Sequence, residues 1–410
     1  MRDQMPPARA FPFPFPDHRG PEPAPEYSGL PDASPLVPVV LRNGAAALLV
    51  HRHHDVRAVL TDRRFSRAAA ADLGLTSRSK ESLALNAVDP PLHTRRRRLV
   101  AHAFTQARAA KLRPETARIT DELLTAMIGH GGTADLMAEF ALPLTIAVVC
   151  RILGLPVEQQ ALFRPWTEAM MSTTAYPRAH VAAAHQAMHE YFAGLLAAAS
   201  GAVAPTAVST AAPAAAPTAG LMAELAQRCD RGELTAAEAA HLASGLLMAG
   251  YETTSNQLGV CALVLLLDHV LSARLRTEPA ALPAAIEEML RWTSLNATGG
   301  VPHVALADTS IGGTVIRAGQ VVVPVTDGAN RDPAVFEQPD RLDIDRQPNP
   351  HASFGHGRHM CLGAAVARME LEVALGALLS RPPVLAGPAD ELSWRTGMYV
   401  RGLRALPVRW

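Results

Sequence analysis

Apolar residues recur at helical spacing along most of the chain. From about Arg95 to Leu290, Ala and Leu are plentiful, β-branched runs are few, and the periodicity predicts helices. One stretch inside this region, from about Ala236 to His269, is apolar almost throughout and too long for an ordinary globular helix. Ahead of the helical body, Leu36 to Val50 holds β-branched residues and ends in Leu48-Leu49-Val50, which predicts a short strand pair; a helical pattern follows at Val56-Arg57-Ala58-Val59-Leu60. Behind the body, from Pro302 to Val325, Ile311, Val315, Ile316 and Val321-Val322-Val323 are punctuated by Gly312-Gly313 and Ala318-Gly319, which are hairpin signals. A proline-rich, irregular stretch spans Asp332 to Pro350, and a last apolar helical pattern covers Ala364 to Leu379. The fold class is mostly α with small β regions.

Two stretches stand outside these patterns. Residues 1–35 are rich in proline and read as a separate N-terminal segment. Residues 195–220 are almost entirely Ala, Pro, Ser, Thr, Gly and Val, which cannot pack a core and predict a flexible loop between helices. A chain of 410 residues that is 49% hydrophobic can bury a large core, and length alone suggests two or three domains. The net charge of zero gives no global pull toward nucleic acid. The N-terminus lacks the apolar core of a signal peptide, and no run of about 18 apolar residues is present to span a bilayer. Leu142 to Cys150 is too short for that and is followed by Arg151. A soluble, cytoplasmic protein without membrane or nucleic-acid partners is expected. The four cysteines form no C-x-x-C pair, which suits a reducing compartment. His51-Arg52-His53-His54, with i, i+2, i+3 spacing before a helix, is a poor cage for zinc.

The most informative residues are Phe354-Gly355-His356-Gly357-Arg358-His359-Met360-Cys361-Leu362-Gly363. Glycines at 355, 357 and 363 allow tight turns and close approach of backbone to a flat group. A cysteine just ahead of a helix feels the positive end of the helix dipole, which favours the thiolate. A dinucleotide loop is excluded, because the glycines do not meet G-x-G-x-x-G and no strand with a following acidic residue supports one. The remaining choices are a glycine-rich loop around a buried cysteine and a thiolate presented to a planar cofactor.

The segment resembles F-G-x-G-x-H-x-C-x-G of the cytochrome P450 family. The resemblance extends over nearly the whole chain and implies one P450 domain from residue 36 to 410, with a long central helix over a haem and a cysteine loop. It implies a monooxygenase carrying non-covalent haem b, with Cys361 as axial ligand, Phe354, Gly355 and Gly363 shaping the loop, and His359 donating to a haem propionate. Ala249-Gly250-Tyr251-Glu252-Thr253 resembles the family's A-G-x-[D/E]-T. There Gly250 is expected to let the helix widen locally where dioxygen binds, with Thr253 hydrogen-bonding to dioxygen and Glu252 relaying protons. Glu288-Met289-Leu290-Arg291 resembles the family's structural E-x-x-R, with Arg341 as the implied third partner, although Leu342 departs from the usual phenylalanine. Asp89-Pro90-Pro91-Leu92-His93-Thr94-Arg95-Arg96-Arg97-Arg98 resembles D-P-P-x-H-T-x-x-R-R, which makes His93 and Arg97 propionate donors and leaves Arg95, Arg96 or Arg98 for an acidic redox partner. His303 stands where relatives most often have arginine and is a further propionate candidate.

Residues expected to face substrate are Ala243, Leu246 and Leu247, then Leu295, Asn296, Ala297, Thr298 and Gly299, and finally Met398 and Tyr399. Most are small or apolar, which suits a roomy apolar pocket and a small apolar substrate. No flavin or iron–sulfur segment is apparent, so electrons from NAD(P)H are expected through a ferredoxin reductase and a ferredoxin, with O2 as co-substrate. A monomer is expected. The segment Arg395 to Leu403 resembles actinobacterial members that tailor polyketides and macrolides, which implies hydroxylation or epoxidation of a secondary metabolite. Oxidative C–C or C–N coupling of aromatic substrates is the runner-up on the same chemistry. A non-catalytic haem sensor is the reading of a different class, and Glu252-Thr253 argues against it because mere binding needs no proton relay.

Overall fold

Val37–Leu41 and Ala46–Val50 form the expected strand pair, antiparallel with Val37 opposite Leu49. They sit in a six-stranded sheet ordered Phe11–Phe13, Val37–Leu41, Ala46–Val50, Val321–Pro324, His303–Ala305, Phe65–Ser66. The computed structural model describes residues 10–30, 34–76, 85–199 and 219–410. The chain divides into two units, one made of Met1–Lys80, Asn86–Asp89 and Glu287–Cys361, the other of Glu81–Leu85, Pro90–Ile286 and Leu362–Trp410.

The sheet is the frame of the first unit. The proline-rich N-terminus is not detached from it: Phe11–Phe13 lies parallel to Val37–Leu41, with Phe11 opposite Val39. Phe13 and Phe15 are buried with Val37, Val39, Leu49 and Val323 in one apolar cluster. Expectation at residue 35 therefore placed a boundary where the sheet continues. The cause is aromatic: Phe13 packs edge-on against Phe15, and Phe15 edge-on against Tyr27, which gives a proline-rich run something to bury. Gly312-Gly313 makes a two-residue hairpin between Thr309–Ile311 and Thr314–Ile316, both glycines at positive φ.

The second unit is helical. Ala236–Leu267 runs for 32 residues and is buried on most sides, as its nearly uniform apolar pattern predicts. Thr235 and Glu238 close its start in a reciprocal capping box. Leu142–Leu153, Arg178–Ala199 and Ala364–Ser380 pack against it. A π-helical turn, Met137–Ala141, leads into Leu142–Leu153, and the Met137 side chain packs in the space left by Gly259, where a Cβ would sit 2.2 Å from its Sδ. Of the expected loop at 195–220, residues up to Ala199 and from Gly220 are helical, and 200–218 lie outside the described residues. Among the described residues no single helix is long and apolar enough to cross a membrane.

Candidate active site

The cysteine loop is shaped by backbone bonds and by glycines at two positive-φ positions. The Cys361 N–H donates to Phe354 O at 2.7 Å, and Gly355 N–H donates to Ala352 O at 2.8 Å. Gly355 and Gly357 both adopt positive φ, 70° and 69°. A Cβ on Gly357 would meet Leu60 O at 2.5 Å, so this residue lets the loop close onto the helix His53–Thr61. Arg358 adds a tie by donating to Thr61 O at 3.0 Å. Gly363 is the N-cap of Ala364–Ser380. Cys150 and Cys261 are buried, with thiols pushed up to about 12 by burial, whereas Cys361 is exposed. Cys229 is half-buried, which leaves Cys361 as the most exposed of the four.

In the second unit, the long helix presents one open stripe. Ala249 is exposed and Gly245, Gly250 and Thr253 are half-buried, while Leu246, Leu247, Met248, Tyr251 and Glu252 are buried. The stripe has the i, i+4 spacing and small side chains that leave room for a flat group. The expected widening at Gly250 does not occur: the helix is α-helical from Ala236 to Leu267. Gly250 serves packing instead, because a Cβ there would sit 3.1 Å from Val149 Cγ2. Thr253 Oγ1 donates to Ala249 O at 2.5 Å.

Glu252 is not the free carboxylate that a relay from solvent suggests. Its Oε2 accepts from Arg395 Nη1 at 2.7 Å, with the two side chains 2% and 10% exposed. Thr167 Oγ1 and Asn256 Nδ2 lie at 3.4 and 3.5 Å. Burial alone would lower the Arg395 pKa, but the carboxylates of Glu252 and Glu168 hold it above its usual value. Arg395 was visible in the sequence within the C-terminal resemblance, yet nothing there pointed to Glu252. Gly402 is required nearby, since a Cβ on it would clash with Asn256 Oδ1 at 1.7 Å.

The E-x-x-R pair lies on Leu282–Trp292, fully buried in a saturated network. Arg291 donates through Nε and Nη2 to the two Glu288 oxygens at 2.8 Å each, and to the carbonyls of Asn330, Pro339 and Arg341 at 2.8, 2.7 and 3.0 Å. Arg341 thus contributes its carbonyl, and its side chain is exposed. The third guanidinium is Arg346, whose Nε donates to Glu288 Oε1 at 3.2 Å. Phe336, and not a residue at 342, lies under the guanidinium of Arg291 at 5.2 Å.

The implied propionate donors differ in fate. His93 is buried and Arg97 half-buried, one helical turn apart on Leu92–Val100. Arg95 and Arg96 both bond Glu238, the latter at 3.3 Å, so they are spoken for, while Arg98 is exposed. His303 is excluded as a donor. Its Nδ1–H donates to Val301 O at 2.8 Å, which leaves Nε2 as an acceptor, and Arg67 Nε–H donates to it at 3.2 Å. Burial and then the charge of Arg67 hold the His303 pKa well below its usual value, so the ring is neutral. His359 is half-buried in the loop, with both ring nitrogens shielded from solvent.

The expected substrate residues divide in the same way. Ala243 and Leu247 are wholly buried and belong to helix packing, and Leu246 is 8% exposed. Leu295, Asn296, Ala297 and Thr298 are half-buried around a turn in which Thr298 N–H and Oγ1 both donate to Asn296 Oδ1, at 3.2 and 2.9 Å. Gly299 is buried because a Cβ would strike Phe13 at 2.3 Å. Met398 and Tyr399 are held by Ser172 and by Met171 O, the latter accepting from Tyr399 N–H at 2.8 Å.

The donor set fits a haem. Within the first unit, an exposed cysteine in a glycine-shaped loop and an arginine, Arg67, whose terminal nitrogens have no acceptor among the described residues suit such a group; the second unit by itself leaves a stripe of small residues open on its long helix. Comparison with known proteins agrees. The family described as Cytochrome P450 matches residues 37–390. Nocardicin C N-oxygenase of Nocardia uniformis subsp. tsuyamanensis is 40% identical, covering 97% of this chain and 98% of its own. Mycinamicin IV hydroxylase/epoxidase of Micromonospora griseorubida is 38% identical, again covering 97% and 98%. The crystal structure of the LnmA hydroxylase from the leinamycin pathway of Streptomyces atroolivaceus superposes with a TM-score of 0.86 at 39% identity, covering 98% of this chain and 100% of that one.

Proposed function

The chain belongs to the cytochrome P450 family, and from that premise we propose that it hydroxylates or epoxidises a secondary metabolite of the polyketide or macrolide kind, with Cys361 as the residue that would hold its haem. The observation that carries the ligand is the exposed Cys361 in its glycine-closed loop. The substrate class is supported by relatives whose names specify mycinamicin and leinamycin tailoring.

When bound, haem with a thiolate ligand supplies dioxygen activation. The residues of this chain then bind, orient and move protons. Phe354 and the loop backbone fix the cysteine, and His93, Arg97 and His359 take part in holding the cofactor. Thr253 Oγ donates to Ala249 O at rest and keeps its lone pairs for accepting, so rotation of one bond offers its proton to dioxygen. Glu252 is held by Arg395, so a relay role for it would require that contact to open. Leu295 to Thr298, Met398 and Tyr399 are assigned to substrate. Electrons come from a ferredoxin and its NAD(P)H-dependent reductase.

The reduced protein with carbon monoxide should show the red-shifted Soret band of thiolate-ligated haem, and Cys361→His should lose it. A wild-type protein without that band would overturn the ligand assignment. Macrolides and polyketides should displace the Soret band on binding; a panel that leaves it unmoved while another metabolite class shifts it would overturn the substrate class.

A further inference from the structure

We propose that Arg67, aimed by His303, is the residue that takes a haem carboxylate where the resemblance pointed to His303. The proposal rests on reading Cys361 as a haem ligand. Its basis is a short piece of sheet: Phe65–Ser66 runs antiparallel to His303–Ala305, with Ser66 opposite Val304, so Arg67 leaves the sheet edge beside His303. The backbone at this point is pinned. Ser66 Oγ donates to Asp89 Oδ2 at 2.5 Å and accepts from Ala69 N–H at 2.9 Å, and Arg67 N–H reaches Asp89 Oδ1 at 3.4 Å.

Among the described residues the guanidinium is held by one hydrogen bond, Nε–H to His303 Nε2 at 3.2 Å. His303 is fixed in turn through Val301 O. The four N–H groups on Nη1 and Nη2 find no acceptor among the described residues. The side chain is half-buried. Burial, with Arg358 nearby, pushes its pKa down to about 10 against the pull of Asp89. A half-buried guanidinium with its terminal donors unspent on the protein is suited to an anion, and a carboxylate accepts both terminal nitrogens at once. Arg358 strengthens the positive field at this place. His303 is neutral and has no N–H left to give, so it is a positioning residue for Arg67. Arginine at position 303 and the pair His303–Arg67 are then two solutions to one requirement.

The test uses the ferric holoprotein. Haem release to an excess of a haem-scavenging apoprotein is timed, and the propionate bending bands are read by resonance Raman. Arg67→Ala should release haem roughly 10- to 100-fold faster and shift those bands. Arg67→Lys should fall between, and His303→Arg placed in the Arg67→Ala background should restore both readouts. Faster release with unmoved propionate bands would mean a structural role only and would overturn the proposal, as would release at the wild-type rate. If Arg67→Ala yields no holoprotein, Arg67→Lys and His303→Ala are read instead, and unmoved bands in both overturn it. A wild-type protein lacking the thiolate carbonyl band would sink the functional reading, which is a different result from a normal wild type with an indifferent Arg67.

Discussion

Each unit of the molecule buries a glutamate–arginine pair, and the two are built in opposite ways. Glu288 and Arg291 are neighbours on one helical face, 1% and 0% exposed, and every N–H of the guanidinium has an acceptor. Glu288 also accepts from Asp343 N–H at 2.8 Å, from Arg346 and from Asn349 at 3.1 Å. Glu252 and Arg395 are 143 residues apart in sequence and share one good hydrogen bond, with their other contacts at 3.4 Å or beyond. A buried pair is stable when its lone pairs and protons are all used; one held by a single strong bond can exchange it. The first pair is therefore a brace for the irregular segment that leads to Cys361. The second is suited to a carboxylate that must change partner or protonation.

The comparison breaks first at Arg291. Arg291→Ala should cost about 3–5 kcal/mol or more, because it strands a buried carboxylate and three carbonyls at once. Arg291→Lys should do little better, since an ammonium cannot serve five fixed acceptors. Thermal unfolding of purified protein and its haem content check both. A Lys variant with wild-type stability would show that the saturated geometry is not what matters.

Arg395→Ala should be milder in stability, about 1–3 kcal/mol, because it removes one strong hydrogen bond where Arg291→Ala removes five. Its larger effect should be on the ratio of product formed to electrons consumed. Glu252→Gln should lower that ratio too while leaving haem content unchanged, as should Thr253→Ala. Stability loss from Arg395→Ala equal to that from Arg291→Ala would erase the distinction between the pairs.

The difference also marks what the sequence could disclose. Motifs whose residues are close in sequence were legible as local structure: Glu288 and Arg291 pair on one helix, and Glu252 and Thr253 share another. Partners chosen by tertiary geometry were not. Arg341 and Arg346 both sit in a stretch without periodicity, and only the path of the backbone decides that the first offers its carbonyl and the second its guanidinium. Arg67 and His303 meet because two short strands pair across more than half the chain. Gly250 shows a third kind of gap, since a glycine in a helix announces that space is needed but not whether backbone or neighbour needs it. A smaller effect tests the Arg341 correction: Arg346→Ala should cost about 1–2 kcal/mol, and Arg341→Ala less than about 0.5 kcal/mol, by thermal unfolding.

Glu370 supplies the limiting case, a buried glutamate with no arginine paired to it among the described residues. It lies on Ala364–Ser380 at 4% exposure, and its Oε2 has no hydrogen-bond partner. Burial raises its pKa well above the ordinary 4.5. The folded state therefore keeps a proton that the unfolded state gives up as pH rises past 4.5. Between that value and its folded pKa the native state binds more protons, so stability contributed here is complete below 4.5 and declines as pH increases through the window. Glu370→Met removes the titration and fills a similar volume. It should leave stability near pH 4 almost unchanged, raise it by about 1 kcal/mol at neutral pH, and flatten that part of the pH profile. Chemical denaturation of the holoprotein across this range decides the matter. A variant that loses stability equally at every pH would mean that Glu370 has a partner after all, and that lone burial is not the third member of this series.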